Sequence, residues 1–336
     1  MNDQISRRTF MSLSAAGVLS ALLARGEERT AAVTSPAWEQ RLAVSNASEI
    51  RLLHLTDIHF FAGVDKDPEG EKQKRIKTQD DVRRMIDSAK PDLLIVTGDM
   101  WHNNPDGRGA EFMAYSIEQC SGWGVPWTFT WGNHDQLNDE AVGHSAFAKA
   151  KGSQYAGGET GGNYVVALEG SDGRRLAEIF CLNSRDIGVD QPAKAFVERA
   201  ASALDAQRER PLRLTAFHIP VKQYKDVWDN GTARGVIGEK VCLEREDGSA
   251  VPVLAAAGIR TAICGHDHVN DYSGVIDGVD LIYGRATGYC GYGAEKVAKG
   301  AKLYTLDPAR KAIQWASLLP DGTTWQPGPD ERRDIR

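Results

Sequence analysis

The segment IRLLHLTDIH, residues 50–59, shows the pattern that decides the fold. Residues 50–56 are apolar enough for a buried β-strand, and Asp57 and His59 follow where that strand is expected to end. Four later hydrophobic stretches are also followed by polar residues: DLLIVT at 92–97, WTFTW at 127–131, LRLTA at 212–216 and TAIC at 261–264. The repetition predicts a sheet whose strands end in polar loops.

The loops after these five strands are rich in histidine, aspartate and asparagine. They read Asp57-Ile58-His59, Gly98-Asp99, Gly132-Asn133-His134-Asp135, Phe217-His218 and Gly265-His266-Asp267-His268, and hold five of the eight histidines. One such loop would mean little, but five are hard to explain by packing. Ligands and metals gather at the carboxyl ends of strands in open α/β sheets. The sequence therefore predicts a dinuclear metal site.

The candidate ligands offer only carboxylate, imidazole or amide groups, which suit two divalent or trivalent ions of Fe, Mn or Zn. Asp99 is the predicted bridge, because one carboxylate can offer an oxygen to each ion. The remaining ligands are predicted to divide between the two ions, with Asp57, His59 and His268 on one and Asn133, His218 and His266 on the other. His266 and His268, two apart on an extended segment, would point the same way, one to each ion.

Such a centre predicts phosphoester hydrolysis. Two cations roughly 3.5–4 Å apart clamp a phosphoryl group and lower the pKa of a shared water, so that a bridging hydroxide attacks phosphorus. His134 is left over and is predicted to protonate the leaving oxygen, with Asp135 orienting it. Asn133, His134, His102 and Arg285 are the predicted substrate contacts; for Arg285 a purely structural turn is an equal alternative, and His102 is undecided between supporting the site and lying in a loop.

The spacing of apolar residues predicts an α/β (α+β) chain with two packed mixed sheets flanked by helices. Helices are predicted at 78–90, 109–121, 139–150 and 193–207, and antiparallel strands at 164–168 and 176–182. Residues 61–78 and 221–250 are predicted to be loops that contact substrate. The expected domain covers residues 48–320, after a flexible segment at 33–47 and before a tail at 321–336.

The N-terminus has the pattern of an export signal. Ser6-Arg7-Arg8-Thr9-Phe10-Met11 is a twin-arginine motif, and residues 11–24 are apolar or small but too few for a membrane span of ~20 residues. Residues 1–32 are therefore predicted to be a signal and leader, cleaved after Ala24 or Ala32. The twin-arginine machinery would be a partner, and the mature protein periplasmic or extracellular, without a stable membrane span.

The net charge and the cysteines argue against two classes of protein, those that bind nucleic-acid duplexes and those held together by disulfides. The net charge of -6 argues against binding to a nucleic-acid duplex, which needs concentrated lysine and arginine. The five cysteines form no C-x-x-C pair and are odd in number, so core thiols are expected rather than disulfides. The expected partner is a small phosphorylated substrate.

The five loops together resemble the signature of the calcineurin-like metallophosphoesterases. The flanking stretches are similar to the short purple-acid-phosphatase-like proteins of plants and their fungal cell-cycle phosphatase relatives; they are KPDLLIVTGD (90–99), VPWTFTWGNHDQ (125–136), FHIPVKQY (217–224), GHDHVNDYSG (265–274) and YGRATGYCGYG (283–293). The likeness covers about residues 48–318. It implies a four-layer αββα sandwich, a dinuclear metal centre and hydrolysis of phosphomonoesters.

One position departs from the purple acid phosphatases. Where they carry a tyrosine that binds iron(III), three residues after the Gly-Asp aspartate, this chain has His102. This departure implies that the colour produced by a tyrosinate bound to iron(III) is absent. Two alternatives stay open: a phosphodiesterase of the cyclic-nucleotide or glycerophosphodiester type, and a non-catalytic metal-dependent binding protein. The complete ligand set and His134 favour an enzyme.

Overall fold

The computed structural model describes residues 35–206 and 210–336. The predicted twin-arginine signal and its leader lie outside these residues. The strands are β1 (Glu39–Ala43), β2 (Ile50–Leu55), β3 (Leu93–Thr97), β4 (Trp127–Thr130), β5 (Tyr164–Glu169), β6 (Arg175–Cys181), β7 (Leu212–Ala216), β8 (Arg234–Ile237), β9 (Thr261–Cys264), β10 (Asp271–Ile276), β11 (Val279–Tyr283), β12 (Ala301–Asp307), β13 (Ala312–Leu318), β14 (Thr324–Trp325) and β15 (Arg332–Asp334). The α-helices are α1 (Pro68–Ala89), α2 (Gly109–Gly122), α3 (Glu140–Lys149), α4 (Gln191–Asp205), α5 (Lys222–Asp229) and α6 (Ala250–Ala256).

The strands form two mixed sheets. One has six strands in the order β14-β13-β12-β2-β3-β4, and the other has nine in the order β1-β5-β6-β7-β9-β11-β10-β8-β15. Strands β2, β3 and β4 run parallel in the first sheet, and β6, β7, β9 and β11 run parallel in the second. The predicted fold class, two mixed sheets flanked by helices, is confirmed.

Two hydrophobic clusters hold the layers together. The larger one joins the two sheets and α1 to α3, with Leu53 and Val96 from one sheet and Ile179 and Leu214 from the other fully buried. The second packs the nine-stranded sheet against α4, α5 and α6. Burial of apolar surface contributes roughly 25 cal/mol per Å². These clusters therefore supply the main force that brings the strand ends of both sheets together.

Helix α1 begins earlier than the sequence analysis predicted, at Pro68 rather than Thr78. The Asp67 carboxylate accepts a hydrogen bond from the Gly70 amide at 3.0 Å, and a proline in the first turn suits a helix start. The charged residues of this segment suggest a loop, but most of them form the exposed face of the first helical turns, and Glu71 is buried and pairs with Arg75. The prediction of a loop over residues 61–78 is therefore wrong for residues 68–78.

The segment 221–250 is also more ordered than predicted. It contains α5 and β8, and α5 buries Tyr224 and Trp228 against the nine-stranded sheet. The Tyr224 hydroxyl donates a hydrogen bond to the Ala262 carbonyl at 2.8 Å. This helix was missed because its buried residues come from only two turns, too few for a clear helical period.

The chain contributes strands on both sides of the expected domain limits. Strand β1 lies in the segment predicted to be flexible and pairs in parallel with β5. Strands β14 and β15 lie in the segment predicted to be a tail, where β15 pairs in parallel with β8. Among the described residues, no helix is both long enough and apolar enough to cross a membrane.

A group of buried charges links Asp271 on β10 to Lys302 on β12 and to Arg285. The Asp271 carboxylate accepts hydrogen bonds from Arg285 Nε at 2.7 Å and Ser317 Oγ at 2.9 Å, and it also pairs with the Lys302 ammonium. Burial alone would raise the pKa of Asp271, but the two cations hold it below its ordinary value. Burial lowers the pKa of Lys302 to about 8.

We expect Asp271→Ala to lower the free energy of unfolding by about 3–5 kcal/mol, because Arg285 and Lys302 would be left as buried cations without their carboxylate. Urea unfolding of the purified variant measures this. The matched control is Glu118→Ala on the exposed surface of α2, where a change below about 0.5 kcal/mol is expected. Equal stability of the two variants would contradict the role of the cluster.

Candidate metal centre

The polar loops that follow the parallel strands of both sheets meet at one place. In the first group of ligands, His59 Nε2 lies 3.0 Å from His268 Nε2, and His268 Nε2 lies 3.3 Å from Asp57 Oδ1. All three side chains are buried. They come from the loop after β2 and the loop after β9, so each sheet supplies part of the group.

The second group forms around His218. Its Nε2 atom lies 3.1 Å from Asn133 Oδ1 and 3.2 Å from His266 Nδ1. The His218 ring is held by a contact of 2.8 Å between its Nδ1 atom and the Thr97 carbonyl, which leaves Nε2 to face the other ligands. The loops after β4, β7 and β9 deliver these side chains.

Asp99 lies between the two groups. Its Oδ2 atom is 3.4 Å from His59 Nε2 in the first group and 3.2 Å from His218 Nε2 in the second. The seven predicted ligands are thus brought together at one place, with Asp99 between the two groups.

The donor atoms are better placed to bind metal ions than to form hydrogen bonds with one another. Asp57 Oδ1 is buried and has no hydrogen-bond partner, although a buried carboxylate oxygen normally has one. Donors bound to one zinc ion at about 2.0–2.1 Å lie about 3.3 Å apart, close to the separations seen in both groups. Carboxylate, imidazole and amide donors also suit Zn, Mn or Fe, so the residues fit a dinuclear centre.

The backbone of the ligand loops is unusual. Asp57, His59, Asp99 and His266 have φ angles of 53°, 53°, 51° and 78°, in the left-handed region that non-glycine residues seldom adopt. Such conformations persist where surrounding contacts determine them, and they cluster at functional sites. The segment of His266 and His268 is therefore a turn, and the prediction of an extended segment there is wrong.

Asp99 and His218 are electrostatically coupled. Burial opposes ionisation of both groups, but their mutual attraction lowers the pKa of Asp99 and raises that of His218 to about 10. Without a metal ion, the proton on His218 thus supplies the positive charge that balances Asp99. Binding of a metal would release that proton, so affinity should weaken as the pH falls.

The structure corrects the role predicted for Asp135. This carboxylate accepts hydrogen bonds from the backbone amides of Asp99 at 2.7 Å, Met100 at 2.8 Å and Gly132 at 2.8 Å. It therefore ties the loop after β3 to the loop after β4 and does not orient the His134 ring. Four backbone amides, including that of Trp101, donate to it and explain its position, and a sequence pattern cannot show them.

Asn103 takes the position expected of Asp135. Its Oδ1 atom lies 2.7 Å from Nδ1 of His134, while the His134 amide donates to Asp99 Oδ1 at 2.9 Å. Sequence analysis missed Asn103, because a lone asparagine in a polar loop gives no signal. The backbone at Asn103 is left-handed, with φ of 63°.

An open cleft of about 340 Å³ leads to the ligands. His102 and His134 line it, and their rings stack with centroids 4.6 Å apart at 16°. Burial and the neighbouring His134 lower the pKa of His102 to about 4, so its ring is neutral near pH 7. Arg285 does not line this cleft, and its predicted contact with substrate is corrected: its guanidinium belongs to the buried Asp271 cluster.

The wall of the cleft also includes Cys242, Glu244, Cys290 and Tyr292, of which the first three were not predicted as site residues. The Tyr292 ring stacks on His268 with centroids 4.0 Å apart, and Glu244 Oε1 lies 3.6 Å from His266 Nε2. All five cysteines are free thiols, and Cys120, Cys181 and Cys264 are buried in the core as predicted.

Comparison with known proteins identifies the family. Residues 50–270 match the calcineurin-like phosphoesterase family. The chain belongs to this family. The family implies a dinuclear metal site, and the two groups of side chains are the candidate ligands for it.

The most similar relatives include purple-acid-phosphatase-like proteins. "Probable inactive purple acid phosphatase 28" of Arabidopsis thaliana is 27% identical over 80% of this chain and 78% of its own length. "Phosphatase DCR2" of Saccharomyces cerevisiae is 23% identical over 69% of this chain but only 46% of its own. Among solved structures, purple acid phosphatase PPD1 from yellow lupin (Lupinus luteus) shares the fold, with a TM-score of 0.51 and 12% identity over 84% of this chain and 53% of the lupin chain.

We expect Gly132→Ala to weaken metal binding at least tenfold. A Cβ atom at Gly132 would lie 2.3 Å from Asp99 Oδ1 and 2.5 Å from Asp99 N, so the bridging carboxylate would have to move. Competition with a chromogenic chelator measures the affinity, and circular dichroism checks folding. Gly122→Ala, where the new Cβ meets nothing within 4 Å, is the control. Unchanged affinity in Gly132→Ala would exclude the close approach as a requirement.

Proposed function

We propose that this chain is an exported phosphatase that hydrolyses small phosphomonoesters, with His134 as the general acid. The observation that carries the proposal is the pairing of His134 with Asn103 on the wall of the cleft, next to the Asp99 position. An asparagine carbonyl accepts a hydrogen bond from Nδ1–H, so this contact keeps a hydrogen on Nδ1 of His134. Nε2 of His134 is then the atom available to the leaving oxygen, and His134 acts as the acid in its imidazolium form, with a second proton on Nε2.

Two bound metal ions would supply the positive charge that clamps the phosphoryl group and acidifies the attacking water. The chain contributes the positioning groups. Asp99 and Asn133 fix the geometry between the two groups of histidines, while Asp135 holds the loop that carries His134. His134 donates a proton to the leaving oxygen and so removes the need to expel an alkoxide.

The wall of the cleft supports a small substrate. Its volume of about 340 Å³ lies near the lower end of the range for ligand pockets. Among the described residues, no lysine or arginine lines it, so the charge of the phosphoryl group must be balanced by the bound ions and the histidine ring donors. We propose monoesters rather than diesters as the substrates because the chain is similar to purple-acid-phosphatase-like proteins.

A non-catalytic binding protein is the second candidate function. It is favoured by the word "inactive" in the name of the Arabidopsis relative, which describes that protein. Against it, this chain brings Asp99, the six other candidate ligands and His134 together at one place beside the cleft. Loss of a ligand would have been the simplest route to a binding protein.

We expect the metal-loaded protein to hydrolyse p-nitrophenyl phosphate faster than bis-p-nitrophenyl phosphate. On an alkyl monoester such as glycerol phosphate, His134→Ala should lower kcat by about 10²- to 10⁴-fold, because the leaving alkoxide loses its proton donor. Removal of the ions by EDTA should abolish turnover, and added metal should restore it.

His144→Ala is the matched control, because His144 contacts Tyr155 and does not line the cleft. Faster cleavage of the diester would make the protein a phosphodiesterase. Two bound metals with no turnover of either ester would favour the binding protein.

The export part of the proposal rests on the twin-arginine motif. In a bacterial host with a working twin-arginine pathway, we expect Arg7→Lys combined with Arg8→Lys to keep the protein in the cytoplasm. Cell fractionation followed by immunoblotting measures the location. Arg25→Lys, beyond the apolar segment, should be exported like the unaltered chain. Export of the double variant would refute twin-arginine targeting.

A further inference from the structure

His102 contacts a metal ligand on one side and the predicted acid on the other. Its Nδ1 atom lies 3.1 Å from Nδ1 of His59, and its ring stacks on His134. The opposite nitrogen of His59, Nε2, faces His268 at 3.0 Å and Asp99 at 3.4 Å. His59 therefore presents Nε2 to the metal position and Nδ1 to His102.

This geometry determines where the protons lie when a metal is bound. A histidine that binds metal through Nε2 keeps its proton on Nδ1 and normally donates it to an acceptor that fixes the ring. For His59 that acceptor is Nδ1 of His102. A neutral imidazole carries one proton, so His102 must then hold its own on Nε2.

Nε2 of His102 has no hydrogen-bond partner among the described residues, although the residue lines the cleft beside His134. Among the described residues, no lysine or arginine lines the cleft. The Nε2–H of His102 can therefore serve as a hydrogen-bond donor to a phosphoryl oxygen. The ring stacking limits rotation of His102 and so maintains the direction of the donor.

We propose that His102 is a positioning residue with two functions: its Nδ1 atom orients the metal ligand His59, and its Nε2–H donates a hydrogen bond to the phosphoryl group. The second function deepens the proposed phosphatase function and rests on it. The first function concerns only metal binding and stands separately.

Two substitutions separate the functions. In His102→Asn the amide lies near the former Nδ1 position, so the acceptor for His59 is kept and the cleft donor is lost. In His102→Gln the longer side chain places its amide near the former Nε2 position, with the opposite result. His102→Phe keeps an aromatic ring for stacking on His134 but loses both nitrogens. His144→Asn is the control, since His144 is another half-buried, stacked histidine that does not line the cleft.

Zinc affinity is measured first, by competition with a chelator, and needs no turnover. We expect His102→Gln and His102→Phe to bind zinc about 10- to 100-fold more weakly, as for loss of a partner of a ligating histidine. His102→Asn and the control should stay within about threefold of the unaltered protein. Unchanged affinity in His102→Phe would overturn the orienting function.

Affinity for inorganic phosphate is then measured calorimetrically on zinc-saturated proteins. His102→Asn and His102→Phe should bind phosphate about tenfold more weakly, and His102→Gln should stay within about threefold. Wild-type phosphate affinity in His102→Asn would overturn the donor function, and equal losses in all three variants would indicate a merely structural role. If the unaltered protein binds zinc and phosphate but does not turn over p-nitrophenyl phosphate, the proposed function fails while the two functions of His102 remain testable.

Discussion

The buried carboxylate of Asp99 is the constraint on which the site depends. One oxygen lies between His59 and His218, and the other accepts the backbone amide of His134. His59 follows a strand of the six-stranded sheet and His218 a strand of the nine-stranded sheet, so one side chain sets the distance between the two layers at their polar edge. The Asp135 carboxylate accepts a hydrogen bond from the backbone amide of Asp99 and so helps to fix its position.

The convergence of the candidate metal ligands could be predicted from sequence because their placement follows from local rules. A short apolar run ends, a polar residue follows, and parallel strands bring their ends to one edge. Asp57, Asp99 and Asn133 obey this rule in one sheet, and His218 and His266 obey it in the other. The layers of the fold could be predicted for the same reason, since hydrophobic runs of strand length mark both sheets.

The supporting residues could not be predicted, because their roles depend on contacts distant in sequence. Asn103 and Asp135 are both polar loop residues, yet only the packed loops show that the first meets the His134 ring and the second meets backbone amides. Arg285 follows a strand near the last metal loop, but its partner is the buried Asp271. The start of α1 was missed because a capping residue, Asp67, was hidden within a charged run.

The separation of the ligands along the chain has a consequence for folding kinetics. His59 and His268 converge from positions 209 residues apart, so their contact closes a loop that includes most of the domain. Loop-closure entropy makes contacts of such long range costly to form before both sheets have assembled. Ions bound between these residues would therefore act on the folded state and leave the folding transition state nearly unchanged. Their stabilisation would appear as slower unfolding, and so as persistence of the native protein, more than as faster folding.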